Sequence, residues 1–141
     1  MKKKTLPVSE IMTENPFTVT VNTKLAKAIN LFDNHHVRHL PVLSGSKLVG
    51  ILSRTDIDRL SFSDEFGENE VDADSAIMEM FLVGQVMNGK PITVSVTQSI
   101  EEVAQKLIDV RFHALPVVDG EDLAGIVTTT DVIRFLLQAA N

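Results

Sequence analysis

Apolar and hydroxyl residues alternate at Phe17-Thr18-Val19-Thr20-Val21 and again at Ile92-Thr93-Val94-Ser95-Val96. That is the period of a short half-buried strand. After the second run, Ile100, Val103, Ala104, Leu107 and Ile108 fall on one helical face. Ser99 and Glu102 supply the capping-box pattern at its start. Leu25, Ala28, Ile29 and Phe32 repeat that face after the first run. Apolar runs at 40–43 and 115–118 read as short buried strands, each closed by a tight turn at Ser44-Gly45-Ser46 or Asp119-Gly120-Glu121. A further strand, 48–52 or 123–127, leads to a helix that starts near Asp56 or Asp131. The predicted order is β-α-β-β-α, written twice.

The two copies are related by a shift of 75 residues, which aligns 8–60 with 83–135 without a gap. Identical pairs include Val8/Val83, Met12/Met87, Pro16/Pro91, Thr18/Thr93, Leu40/Leu115, Pro41/Pro116, Gly50/Gly125, Asp56/Asp131 and Arg59/Arg134. This is a tandem duplication. A unit of that size buries too little apolar surface to stand well alone, so the two copies are expected to pack together.

The duplicated stretch with the most chemistry is Gly50-Ile51-Leu52-Ser53-Arg54-Thr55-Asp56, repeated as Gly125-Ile126-Val127-Thr128-Thr129-Thr130-Asp131. A strand that hands over to a helix through hydroxyls and an aspartate forms a small polar pocket. Free amides at the helix start would point into it, and the helix dipole favours an anion there. The plainer reading is that Ser/Thr and Asp simply cap the helix.

Charge narrows the partners. The net charge of −6 argues against a general nucleic-acid binder. The acidic excess sits in 61–82, where Asp64, Glu65, Glu68, Glu70, Asp72, Asp74 and Glu79 occur without a Lys or Arg. No apolar run reaches the length that spans a bilayer. Lys2, Lys3 and Lys4 are followed by polar residues where a signal peptide needs an apolar core, and cysteine is absent. The expected location is the cytoplasm. There is no thiol nucleophile, no His–Asp–Ser spacing and no Gly-rich phosphate loop, so no catalytic residue is assigned.

The repeat resembles a CBS domain, and the whole chain resembles a CBS pair, or Bateman module. Val8-x-x-Ile11-Met12, Thr18-Val19, Arg38-His39-Leu40-Pro41-Val42 and Gly50-Ile51-x-Ser53-x-x-Asp56 carry the resemblance. Val83-x-x-Val86-Met87, Thr93-Val94, His113-Ala114-Leu115-Pro116-Val117 and Gly125-Ile126-x-Thr128-x-x-Asp131 carry it again. It covers the chain apart from the first residues and 61–82, and a narrower likeness is to the small stand-alone acetoin-utilisation type. The resemblance implies an α+β fold, a tandem pair of β-α-β-β-α repeats packed with pseudo-two-fold symmetry. The boundaries are 8–60 for the first repeat, 61–82 for an acidic linker with a short helix, and 83–138 for the second repeat.

It also implies a non-enzymatic regulatory module that takes an adenine nucleotide (AMP, ADP or ATP) or S-adenosylmethionine in the cleft between the repeats, with no cofactor required. Asp56 and Asp131 can each accept from the vicinal ribose hydroxyls with two oxygens. Ser53, Thr55, Thr128 and Thr130 offer hydroxyls where phosphate would sit. Backbone around Thr18, Val19, Leu40 and Pro41, and around Thr93, Val94, Leu115 and Pro116, could frame the base. The resemblance brings Arg38, His39 and His113 toward phosphate. Ala114 stands where the first copy has His39, so the two pockets are expected to differ. These residues do not choose among adenine nucleotides, S-adenosylmethionine, NAD and a cyclic dinucleotide. The alternative function is a dimerisation scaffold with vestigial pockets that works through protein partners.

Three further features have plain readings. His35, His36 and His39 straddle a helix end, so their spacing is not that of a metal site. Arg59 and Arg134, one turn inside their helices, are read as pairing with an acidic neighbour rather than with phosphate. Ala76, Ile77, Met80 and Phe81 form an apolar stripe, with Asp72 or Asp74 as N-cap, on a helix read as covering the module's own core, with a partner-binding helix as the alternative. The last helix, with Val132, Ile133, Phe135, Leu136, Leu137, Ala139 and Ala140, is apolar on more than one side. A monomer would leave much of it wet. CBS pairs associate through such helices into a flat dimeric disc, which implies a homodimer here, beside an unidentified protein target.

Overall fold

The computed structural model describes residues 5–60, 76 and 78–140. The acidic stretch 61–74, the two candidate N-caps and Ile77 lie outside them. The chain forms two compact units, Phe17–Pro91 and residues 1–16 with 92–141. Neither coincides with a sequence repeat. Each joins the strands and helices of one repeat to the leading segment of the other.

In the unit Phe17–Pro91, β2 (Val19–Thr20) pairs in parallel with β3 (His39–Ser44), and α1 (Leu25–His35) makes the crossover between them. The alternating run predicted a five-residue strand, but only two residues pair. The antiparallel partner of β3 is β4 (Lys47–Ser53), placing Leu40 opposite Leu52. Gly45 turns the hairpin at φ 64, a conformation that costs a side-chain-bearing residue more than glycine. The core is Leu25, Ala28, Phe32, Leu40, Val42, Leu52 and Ile57. The helix α2 (Arg54–Asp58) follows β4 directly. Val83, on the short α3 (Val83–Val86), is fully buried in this core. Its amide donates to the Thr23 carbonyl at 2.7 Å, and Asn88 exchanges two backbone bonds with Ile51. A Cβ on Gly50 would run into the Met87 side chain and come within 2.9 Å of the Asn88 carbonyl. Glycine at that position lets the segment lie flat on β4. Residues 76 and 78–80 are helical, and Met78 and Phe81 pack on the core.

The other unit repeats this plan. β5 (Val94–Ser95) pairs in parallel with β6 (Ala114–Asp119), which forms a hairpin with β7 (Asp122–Thr128) around Gly120 at φ 66. The crossover is α4 (Ile100–Val110), capped by the predicted box: Ser99 Oγ accepts from the Glu102 amide, and Glu102 Oε1 accepts from the Ser99 amide. Ile108 does not join its buried face; the residue is 68% exposed, because Val103 and Leu107 already fill the line of contact with the sheet. The leading segment enters here too. A short 3-10 turn, Val8–Glu10, seats a fully buried Val8, whose amide donates to the Gln98 carbonyl. Antiparallel to β7 lies β1 (Thr13–Glu14), with Thr13 opposite Ile126. Gly125 leaves room for Met12 and the Thr13 carbonyl, 2.6 Å from where a Cβ would stand. The chain closes with α5 (Thr129–Ala139), which buries Val132. No helix among the described residues is long and apolar enough to cross a membrane.

Candidate functional site

Both helices that follow the hairpins start two residues earlier than the aspartate. Ser53 is the N-cap of α2 and Thr128 that of α5, with Asp56 and Asp131 at the third helical position. Each pair forms a full capping box. Ser53 Oγ accepts from the Asp56 amide at 3.1 Å, and Asp56 Oδ2 accepts from the Ser53 amide at 2.9 Å. Thr128 Oγ1 and Asp131 Oδ2 make the same bonds at 3.1 and 2.9 Å. Hydroxyl and carboxylate at this spacing satisfy two orphan amides reciprocally. A third is satisfied by the residue just before the neighbouring strand: the Arg54 amide donates to the Arg38 carbonyl at 3.0 Å, and the Thr129 amide to the His113 carbonyl at 2.9 Å.

These bonds change the expected chemistry. The helix start was expected to offer a set of free amides, but three of the four are bonded within the chain, and the fourth belongs to Thr55 or Thr130. Asp56 and Asp131 were expected to present both oxygens to a ligand. Oδ2 is held by the cap, and Oδ1 is the oxygen turned away from it. Oδ1 of Asp56 lies 3.8 Å from an Arg59 guanidinium nitrogen, and Oδ1 of Asp131 lies 3.6 Å from Arg134. The two arginines therefore do pair with their acidic neighbours. The second site is the more enclosed, since the Asp131 side chain is 11% exposed against 23% for Asp56.

The strands bring several expected residues to these helix starts. His39 faces Ser53 across β3 and β4, and Ala114 faces Thr128 across β6 and β7. Arg38 and His113 immediately precede them, with exposed side chains. Leu40, Pro41, Leu115 and Pro116 are buried, so only their backbone could frame a ligand. Val19 and Val94 turn into their cores, on strands at the far side of β3 and β6. Thr18 and Thr93 precede them, half-buried, and the Thr93 carbonyl accepts from Lys106 Nζ at 2.9 Å. Thr55 and Thr130 are exposed on the first helical turn. The histidines at the end of α1 have other roles: His35 stacks on Phe17 with ring centroids 4.0 Å apart, and His36 ends the helix in the left-handed conformation at φ 55.

One concavity did not follow from the motifs. Phe32, Asp33, His36, Val37, Arg38, Arg54 and Asp58 line a depression of about 530 Å³ in the unit Phe17–Pro91. Arg54 lies across it, 2.6 Å from Asp33 and 3.6 Å from Asp58. Of the expected ligand residues only Arg38 reaches it. The available signal was the helical Arg54/Asp58 spacing of four.

Comparison with known proteins gives a consistent family. A family model described as the CBS domain matches residues 8–63 and 83–138. The crystal structure of CBSX2 of Arabidopsis thaliana in complex with AMP is 30% identical, covers 96% of this chain and 99% of its own, and has a TM-score of 0.82. A CBS domain pair of the protein MJ0100, solved with 5′-methylthioadenosine and S-adenosyl-L-methionine, is 25% identical, with coverage of 96% and 99% and a TM-score of 0.75. A putative acetoin utilisation protein (AcuB) from Vibrio cholerae shares the fold at a TM-score of 0.81 and 24% identity, covering 97% of this chain and 94% of its own. Three curated relatives at 30% identity are longer, and the chain spans 42%, 24% and 64% of their lengths. With both of its repeats matched and an α+β architecture shared along nearly its whole length, the chain belongs to the CBS domain family.

Proposed function

We propose that this chain is a non-enzymatic regulatory module of the cytoplasm that binds an adenine nucleotide or a related adenosyl ligand at its duplicated strand-to-helix junctions. The observation that carries the reading is the repeated carboxylate. In each junction one oxygen is fixed by the capping box, which holds the side chain in one rotamer and presents the other oxygen beside a guanidinium. A preset acceptor suits one of the vicinal ribose hydroxyls, and ordering of the carboxylate itself does not oppose binding. The Thr55 and Thr130 hydroxyls, exposed on the first helical turns, supply donors for phosphate nearby. The likeness to CBSX2 solved with AMP, and to a CBS pair solved with S-adenosylmethionine, supports an adenosyl ligand. The differences at 38/113 and 39/114 support two sites of unequal affinity. In this reading the ligand acts by preferring one arrangement of the module, a second copy of the chain is a partner, and a target protein receives the signal.

A thermal-shift panel of AMP, ADP, ATP, NAD, S-adenosylmethionine and 5′-methylthioadenosine tests it. A ligand at about 100 times its Kd stabilises the fold by roughly 2.7 kcal/mol, which moves the melting temperature by several degrees. No shift with any of them favours the second reading, a scaffold with vestigial pockets. One observation favours that reading: the capping boxes alone account for Ser53, Asp56, Thr128 and Asp131.

A further inference from the structure

A tie on an edge strand separates the two repeats. Among the described residues β5 pairs with β6 alone, so its other edge is open. Val94 lies opposite Val117, and the Val96 amide donates to the Val118 carbonyl at 3.0 Å. Backbone groups alternate along a strand, so residues 94 and 96 turn theirs to β6, while Thr93 and Ser95 turn theirs to the open edge. Side chains meet both there. The Ser95 amide donates to Gln98 Oε1 at 2.9 Å, and the Thr93 carbonyl accepts from Lys106 Nζ at 2.9 Å. The first repeat keeps one of these ties and lacks the other. Thr20 and Thr23 stand at the equivalents of Ser95 and Gln98, and the Thr20 amide donates to Thr23 Oγ1 at 3.0 Å. The counterpart of Lys106 is Leu31, which packs on the core and has no donor to give the Thr18 carbonyl. Lys106 is half-buried on α4 and has no acidic partner among the described residues, so ion pairing does not account for it.

We infer that Lys106 is a positioning residue: by holding the Thr93 carbonyl to α4, it fixes the backbone that frames the base in one of the two nucleotide sites and makes that site the tighter one. The inference rests on the adenosyl-binding reading above, with a base lying against residues 93 and 94. β5 is only two residues long, and a strand so short with an open edge does little to hold its own backbone. A bond from an ammonium to a carbonyl is charge-assisted and among the stronger ones. It anchors the residue before β5 to an eleven-residue helix. A frame already held in place loses less freedom when a base settles on it, and preorganisation of that kind appears as affinity. The segment Thr18-Val19 has only the amide tie of its strand, so a base there must order more of its own frame. This is a third difference between the repeats, beside those at 38/113 and 39/114.

Lys106→Met keeps the length of the stem and removes the ammonium, whereas Lys106→Arg keeps a charged donor. AMP and S-adenosylmethionine are each titrated by calorimetry into the native full chain and both variants. The native chain should bind at least one of them at two sites of unequal affinity. Lys106→Met should weaken the tighter site at least about tenfold, the scale of one hydrogen bond to a charged group. The weaker site should keep its affinity, circular dichroism should keep the native signal, and Lys106→Arg should recover most of the loss. A tie that served only the fold would not single out one site. Equal sites in the native chain, unchanged affinity in Lys106→Met, or equal weakening of both sites overturns the inference and leaves the adenosyl reading in place. A native chain that binds neither ligand defeats that reading and the inference with it.

Discussion

Arg54 donates to the Asp33 carboxylate across 2.6 Å, joining the first turn of α2 to the last turn of α1, and Asp58 lies 3.6 Å away on the other side of the guanidinium. The partners differ in exposure, 33% for Arg54 and 56% for Asp33. Water competes for both, so the geometry is worth less than its length suggests. A double-mutant cycle with Arg54→Met and Asp33→Asn should give a coupling of about 1 kcal/mol or less. Urea melts at low and high salt check it, and the coupling should shrink with salt.

The capping boxes separate structure from recognition. Ser53→Ala and Thr128→Ala remove the hydroxyl that accepts the helix's third amide, and each should cost about 1 kcal/mol. Asp56→Asn and Asp131→Asn keep a carbonyl oxygen for the N-cap amide and lose only the charge. Each should cost no more than about 1 kcal/mol, the scale of an acidic charge in a helix's first turn and of a solvated ion pair. Denaturant midpoints at constant m-value compare the four variants.

Gly45 and Gly50 are glycines for different reasons. Gly45 needs a positive φ but has open space around it, so Gly45→Asn, which tolerates that conformation, should be nearly neutral. Gly50→Ala would push a methyl into Met87 and the Asn88 backbone, and overpacking of this kind costs about 1–3 kcal/mol. Gly125→Ala should behave like Gly50→Ala, since the Thr13 carbonyl stands even closer. Thermal melts of the three variants rank these effects.

Much of this architecture is local in origin and could be read from the chain. The 75-residue repeat, the hairpins around Gly45 and Gly120, and the Ser99–Glu102 box are each set by a few neighbouring residues. The junction boxes were equally local: Ser53-x-x-Asp56 is itself a capping-box spacing, and it places the helix start at the hydroxyl. What pattern could not reveal is pairing at long range. Val8 and Val83 look like ordinary apolar positions of their own repeats, yet each is buried in the unit built from the other repeat's strands. Ile108 shows the limit of periodicity, because it lies at the margin of an apolar stripe wider than the face that meets the sheet. The depression around Arg54 depends on side chains from two helices and a loop, an arrangement that no single stretch encodes.

The central claim is that Asp56 and Asp131 recognise a ligand beyond capping their helices. Calorimetric titration of the tightest ligand from the panel into the native chain, Asp56→Asn and Asp131→Asn tests it most directly, because the Asn variants retain the cap. The account predicts binding to the native chain and at least a tenfold loss of affinity in one Asn variant, equivalent to about 1.4 kcal/mol, with no change in its fold. Unchanged affinity in both variants, or no binding of any adenosyl ligand to the native chain, would contradict it.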